Sequence, residues 1–346
     1  MAKIKFVHTY DYIISLENLL EAWREFIRGK HLKKDVQIFE SDLMDNIVSL
    51  HEDLSNYTYR HGSYEAFNIS DPKPRNIHKA TVRDRLVHHA IYRALYPFFD
   101  RTFISDSFSC RNKQGTHRAL NRLRSFAFRV SHNHTRSCWI LKCDIRKFFA
   151  NINHQILRSI LAEYISDKNI LWLLDRVIDS FNSGQSGVGL PLGNLTSQLL
   201  VNIYMNKFDQ FMKHKIKAKY YLRYADDFVI LAESKKYLIG LIPVLVRFLS
   251  IELKLELHPQ KVFIKTIASG VDFLGWTHFT DHRVLRVASR RRMFKKLWQN
   301  SSSKSVKSYL GLLKHGNTDK IKNKIYINFN ERKIVFNNKA SPFSRG

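Results

Sequence analysis

An α+β fold is predicted by three features of the 346-residue chain. Apolar residues recur at helical spacing near the N-terminus and again after Thr81. Runs with β character flank Asp144 and the tripeptide Ala225-Asp226-Asp227. Hydrophobic residues make up 44% of the chain, with 24 Phe and 15 Tyr but only 13 Gly and 7 Pro, which is ample for a core and excludes a disordered or small disulfide-stapled protein.

In chain order, Ile13, Leu16, Leu19, Leu20, Trp23 and Ile27 predict a helix from Asp11 to Ile27. Leu43, Ile47, Leu50 and Leu54 predict another behind a Ser41 N-cap. Residues 57–77 alternate aromatic and polar side chains around Asp71-Pro72-Lys73-Pro74, which reads as strands with a basic turn. Thr81 caps the helix that follows. Trp139 to Ile145 reads as a strand that ends in Asp144, with a helix expected from His154. Residues 184–193 hold four of the 13 glycines and Pro191 and form a loop before a long amphipathic helix, Asn194 to Phe211. Tyr220 to Glu233 is a hairpin with Asp226 and Asp227 at an exposed tip. Near the end, Val306, Tyr309, Leu310 and Leu313 share a helical stripe with Gly316 placed to stop it, and residues 324–338 look like a hairpin.

The 57 Lys and Arg against 30 Asp and Glu give a net charge of +27, far beyond what solubility needs and of the sign that attracts phosphate. From Arg283 onward the chain carries +15 of that excess. There Arg290, Arg291, Arg292, Lys295 and Lys296 interleave with Met293, Phe294, Leu297 and Trp298, which suits a helix with one face on the core and the other on phosphate. Cys110, Cys138 and Cys143 lack metal-site spacing, so no zinc is assigned, and a reduced, cytoplasmic protein is expected. The N-terminus has no secretory signal pattern. Tyr237 to Val246, with Pro243 inside it, is too short to span a bilayer, so no membrane partner is expected.

Adjacent carboxylates at an exposed turn repel one another, an arrangement suited to divalent cations. While the pair stands alone, a solvated Asp-Asp turn is the better explanation. Asp144, about 80 residues earlier, ends its strand and can bring a third carboxylate to the same sheet. Three such groups can hold two Mg²⁺ roughly 3.5–4 Å apart, which activate an attacking hydroxyl and stabilise a leaving pyrophosphate. This is the chemistry of nucleotidyl transfer.

LKCDIRKFFANI, LPLGNLTSQLLVNIY, YLRYADDFVIL, LELHPQKVFI and VDFLGW stand in the order and spacing of reverse transcriptase motifs, and KPRNIHKATVRDRLVHHAIY resembles the finger motif ahead of them. The resemblance implies a right-hand polymerase: a helical lead-in over residues 1–56, fingers and an antiparallel-sheet palm over 57–280, and a basic thumb with a C-terminal hairpin over 281–346. It implies RNA-directed DNA synthesis with two Mg²⁺, or Mn²⁺ in their place, on template RNA, a cDNA primer and dNTPs. Within that superfamily, Leu192-Gly193-Asn194-Leu195-Thr196-Ser197-Gln198 has an aliphatic residue where many members carry glutamine and closes in Ser-Gln. This resembles the reverse transcriptases of diversity-generating retroelements, as does SYLGLLKHGNT near the C-terminus. That likeness implies copying of a template-repeat RNA into adenine-mutagenised cDNA, together with a small helical oligomeric accessory protein. Retron, group II intron-type and phage-defence enzymes are the alternatives within the superfamily. A catalytically idle RNA-binding relic is the alternative outside it, and the intact Asp144, Asp226 and Asp227 argue against it.

The resemblance assigns catalysis and metal binding to Asp144, Asp226 and Asp227, with the main chain of Ile145 as a further ligand. Phe149 corresponds to a steric gate under the incoming sugar, whereas one of Phe148 and Phe149 is expected in the core. Lys73 and Arg75 suit the triphosphate. Leu192 and Gly193 border the nucleotide, and Leu192 cannot donate the hydrogen bond that a glutamine could, which loosens control of the incoming base. Arg83 and Arg85 are both candidates for contacting template or nucleotide. Lys261 stands where a general acid for pyrophosphate would, or is a surface lysine. Phe273, Leu274 and Gly275 match the primer grip.

Overall fold

The computed structural model describes residues 4–70, 74–299 and 302–328. Mixed helix and sheet matches the predicted α+β class, and the chain divides into two compact units: Met1–Gly115 with Lys142–Ile230 and Lys236–Phe263, and Thr116–Leu141 with Leu231–Lys235 and Ile264–Gly346.

The first unit begins with α1 (Tyr10–Ile14), α2 (Leu16–Phe26), α3 (Lys34–Ser41) and α4 (Leu43–Ser55). The single helix expected over Asp11–Ile27 is two, because Ser15 is extended and its hydroxyl accepts from the Asn18 N–H to start α2. The predicted Ser41 N-cap is also displaced: Ser41 ends α3, and Asp42 stands at the cap position of α4. A hairpin of β1 (Glu65–Ile69) and β2 (Arg75–Lys79) follows, with Ile69 opposite Arg75. Thr81 caps α5 (Val82–Asp100) by accepting from the Asp84 N–H, as its sequence predicts.

In the second unit α6 (Thr116–Val130) buries Leu120, Leu123 and Phe126 on one face. The strand β3 (Trp139–Asp144) ends at the expected aspartate. Back in the first unit, α7 (His154–Ala162), α8 (Lys168–Asp179) and α9 (Leu195–Gln210) come next. α9 is not amphipathic as expected. It is buried on almost every side, and its polar residues are satisfied internally: Asn202 donates to the Ser109 carbonyl at 2.9 Å and Asp209 pairs with Arg223. β4 (Tyr221–Tyr224) and β5 (Asp227–Ala232) form the predicted hairpin, followed by α10 (Lys235–Leu253) and β6 (Phe263–Thr266), and the four strands order as β4-β5-β3-β6.

A second sheet, β7 (Val271–Phe273), β8 (Trp276–His278) and β9 (Arg283–Leu285), is antiparallel throughout. α11 (Val287–Gln299) buries Met293 and Leu297, and α12 (Ser303–Leu313) buries Val306 and Leu313. The helix stops before Gly316, which packs so tightly on Trp276 and the Arg283 carbonyl that no Cβ would fit. The C-terminal hairpin is overturned where it can be seen. Residues 319–328 are helical, with Ile325 buried and Ile327 exposed, a separation that a strand would not give two residues apart. The rest of that segment lies outside the described residues. Among the described residues no helix is long and apolar enough to cross a membrane.

Candidate active site

Asp144, Asp226 and Asp227 are brought together by main-chain bonds between neighbouring segments. The Ile145 N–H donates to the Asp226 carbonyl at 3.2 Å. On the other side, the His258 N–H donates to the Asp144 carbonyl at 2.7 Å and the Arg146 N–H to that of Glu256 at 2.8 Å. The end of β3 therefore sits between the β4–β5 turn and the segment after α10. The turn itself is half-buried rather than exposed, and Ala225 at its apex is left-handed (φ 55°). Its support is a fully buried guanidinium. Arg223 makes bidentate bonds to Asp209 (2.8 and 2.7 Å) and donates to the Ala225 carbonyl at 3.0 Å, while Tyr221 Oη donates to Asp209 at 2.6 Å. Neither Arg223 nor Asp209 was singled out from the sequence, although an arginine inside an apolar strand demands a buried carboxylate partner.

The side chains do not form a closed cage. Asp144 Oδ1 accepts from Lys261 Nζ at 2.9 Å, and Asp227 Oδ1 lies 3.2 Å from Lys142 Nζ. Among the described residues no three acidic, imidazole or thiol groups close on one point. Asp226 carries the electrostatic cost of this crowding: burial first, then Asp144 and Asp227, raise its pKa to about 6. The donor set nonetheless fits a hard divalent cation, since carboxylate oxygens are concentrated where negative charge is already penalised. Ile145, with its side chain buried, can offer such an ion only its carbonyl oxygen.

Around the carboxylates, Phe148 is core and Phe149 is half-exposed, with its carbonyl accepting from the Leu190 N–H at 2.8 Å. The loop before α9 is bound to the β1–β2 hairpin. The His78 N–H donates to the Leu192 carbonyl at 2.9 Å, and Asn194 Nδ2 returns a bond to the His78 carbonyl at 3.0 Å. Gly193 is left-handed (φ +110°), and a Cβ there would stand 2.7 Å from Ile77 Cγ2, so glycine is required on both counts. In the first turn of α9, Thr196 Oγ1 bonds His88 Nδ1, and His88 Nε2 meets His61 Nε2 at 3.1 Å. Burial pushes His88 down to about 3, so the ring is neutral. His88 was not singled out from the sequence, which does not reveal its place beside this loop.

Arg75 is exposed at the start of β2, and Lys73 lies outside the described residues. Arg83 and Arg85 both have carboxylate partners in the N-terminal helices, Asp53 of α4 and Asp35 of α3 respectively. In the other unit, Leu274 and Gly275 are both left-handed (φ 48° and 86°) and turn the chain tightly between Phe273 and Trp276. On α11, Arg290, Arg291, Lys295 and Lys296 are exposed and Arg292 is half-exposed. Trp298, expected on the apolar face with Leu297, is instead 63% exposed.

A family model described as "Reverse transcriptase (RNA-dependent DNA polymerase)" matches residues 70–278. The chain is 27% identical over 261 residues to "Protein YkfC" of Escherichia coli (strain K12), covering 64% of this chain and 66% of that one. It is 23% identical over 287 residues to "Group II intron-encoded protein LtrA" of Lactococcus lactis subsp. cremoris, covering 64% of this chain and 46% of that one. It thus spans less than two thirds of the length of either relative. Among solved structures, apo telomerase from Candida Tropicalis, truncated from its C-terminal domain, aligns at 12% identity with a TM-score of 0.49, over 70% of this chain and 60% of that one.

Proposed function

This chain belongs to the reverse transcriptase (RNA-dependent DNA polymerase) family, and we propose that it extends a primer 3′-hydroxyl along template RNA with dNTPs, releasing pyrophosphate. The observation that carries this reading is the meeting of Asp144, Asp226 and Asp227 at adjacent strand ends, with the carboxyl of Asp226 raised to about 6. Divalent cations, when bound by these carboxylates and the Ile145 carbonyl, would activate the attacking hydroxyl and stabilise the leaving group. The residues of the chain do the rest. Arg223 holds the Ala225–Asp226 turn at its height. Lys261, bonded to Asp144 and partly exposed, is placed to donate a proton to the departing pyrophosphate. Phe149 offers a half-exposed ring against which a 2′-hydroxyl would clash. Arg75 and Lys73 supply cations for the triphosphate, and the exposed cations of α11 grip the nucleic-acid backbone. Primer extension on an RNA template with Mg²⁺ tests the reading: incorporation by wild type and none by Asp226→Ala is expected. Equal incorporation by the two proteins would remove the enzymatic claim.

We further infer a mutagenic role in a diversity-generating retroelement, with a small helical accessory protein as partner. What supports it is the aliphatic Leu192 before Gly193, the Ser197-Gln198 close and the sequence of residues 308–318. Leu192 offers no side-chain donor to the nucleotide. The likeness to a group II intron-encoded protein favours a second reading, another bacterial reverse transcriptase of ordinary fidelity. Sequencing cDNA across template adenines separates them, since substitutions concentrated at adenines are expected only of the first. Leu192→Gln is then expected to lower that misincorporation several-fold.

A further inference from the structure

The second unit carries a groove whose apolar wall none of the roles above uses. It encloses about 510 Å³ beside α11, within the size range of pockets that take planar ligands. Phe294 and Trp298 form its apolar wall, and Arg290, Arg291 and Lys295 stand beside them, with Lys324 from the following helical segment. The spacing explains the arrangement: these α11 residues recur four and eight positions apart on one face, whereas Met293 and Leu297 point into the core on another. Lys324 Nζ lies 5.7 Å from the centre of the Phe294 ring, so a cation closes the far side of the groove. No carboxylate lines it.

An occupant must therefore be anionic at its edge and flat and apolar at its centre. A duplex backbone meets only the first requirement, because its base faces are stacked on one another. We propose that this groove captures an unstacked base of single-stranded nucleic acid against Trp298 and Phe294, with the flanking phosphates on Arg290, Arg291 and Lys295. Gln299, also at the groove, offers an amide to the base edge. Stacking on aromatic rings accepts every base, so binding is expected to be indifferent to sequence. The choice of nucleic acid as occupant rests on the polymerase reading, but the groove's binding can be measured without synthesis.

The test uses the full chain without dNTPs. A single-stranded oligonucleotide carrying 5-iodouracil, which joins to aromatic rings stacked on it under ultraviolet light, is cross-linked and the adduct is mapped by mass spectrometry. Adducts on Phe294 or Trp298 are expected, and adducts confined to other parts of the chain would overturn the proposal. In parallel, anisotropy compares a normal strand with an abasic strand of equal length and charge. Wild type should prefer the normal strand about tenfold, Trp298→Ala should lose most of that preference, and Trp298→Phe should retain it. A Trp298→Ala protein that keeps the full preference, or displacement of the cross-link by a tryptophan-bearing acidic peptide but not by an unlabelled strand, would assign the groove elsewhere. Failure of primer extension alone leaves both readouts intact, so the two readings fail separately.

Discussion

The ammonium of Lys142 lies 3.2 Å from Asp227 Oδ1, joining the middle of β3 to the start of β5. Both groups are mostly shielded from solvent, so the pair resists screening better than a surface contact does. Lys142 stands two residues before Asp144 and projects to the same side of the strand. It acts as a counter-charge built into the sheet, in competition with any cation that binds the carboxylates.

Replacing Lys142 with Met should therefore sharpen the response to Mg²⁺. Thermal unfolding followed across a MgCl₂ titration is expected to show the half-effect at about fivefold lower concentration, from roughly 1 kcal/mol of relieved competition. If Mg²⁺ instead ceases to stabilise the variant, Lys142 is needed to hold Asp227 in place.

Asp226 makes stability depend on pH in an unusual direction for a carboxylate. Its folded pKa of about 6 exceeds the ordinary value of 3.8, so the stabilisation is complete below about pH 4 and is lost as the pH rises through 6. Asp226→Asn removes that loss. The variant should melt above wild type at about pH 7.5, by an amount on the order of 1–3 kcal/mol, and converge with it near pH 4. A variant less stable than wild type at the higher pH contradicts this account.

His278 works in the opposite sense. Burial, with Arg283 adding to it, pushes the ring down to about 4, and its Nε2 has no hydrogen-bond partner among the described residues. A depressed histidine contributes stability that is present above about pH 6.5 and lost as pH falls toward the folded value. His278→Phe should flatten the decline in unfolding free energy, read from urea titrations, between about pH 6 and pH 4, by up to roughly 1.4 kcal/mol per pH unit. An unchanged slope would show that His278 is not among the groups that drive acid unfolding.

Breaking the Arg223–Asp209 pair should be the most damaging single change outside the carboxylates. Asp209→Leu leaves a wholly buried guanidinium without its counter-charge, at a cost of about 3–5 kcal/mol in chemical denaturation. Polymerase activity should fall with it, because the same guanidinium supports the Ala225 carbonyl. Arg223→Leu combined with Asp209→Leu should recover stability in part without recovering activity.

Much of this was legible in the residues. β3 ending at Asp144, the hairpin around Ala225 and the Thr81 cap follow from short-range rules about alternation and hydrogen-bonding side chains. The failures share a cause, which is that distant packing overrode local pattern. α9 reads as amphipathic because Asn202, Asn206 and Asp209 look solvent-facing, yet each is satisfied from elsewhere in the fold. Residues 324–328 alternate like a strand, but the turn at Thr318 and the burial of Ile325 select a helix. Lys142, Arg223 and His88 were passed over because a charged or polar residue in an apolar run declares a partner without saying which one.

The two bonds between His78 and the Leu192–Asn194 segment make that segment an extra edge of the β1–β2 hairpin. Leu192 is consequently tied to β2, so a displacement of the hairpin would carry the leucine with it. If Leu192 borders the nucleotide as proposed, base selectivity and the position of this hairpin share one lever, and mutations far out on the hairpin should alter copying errors without touching a nucleotide.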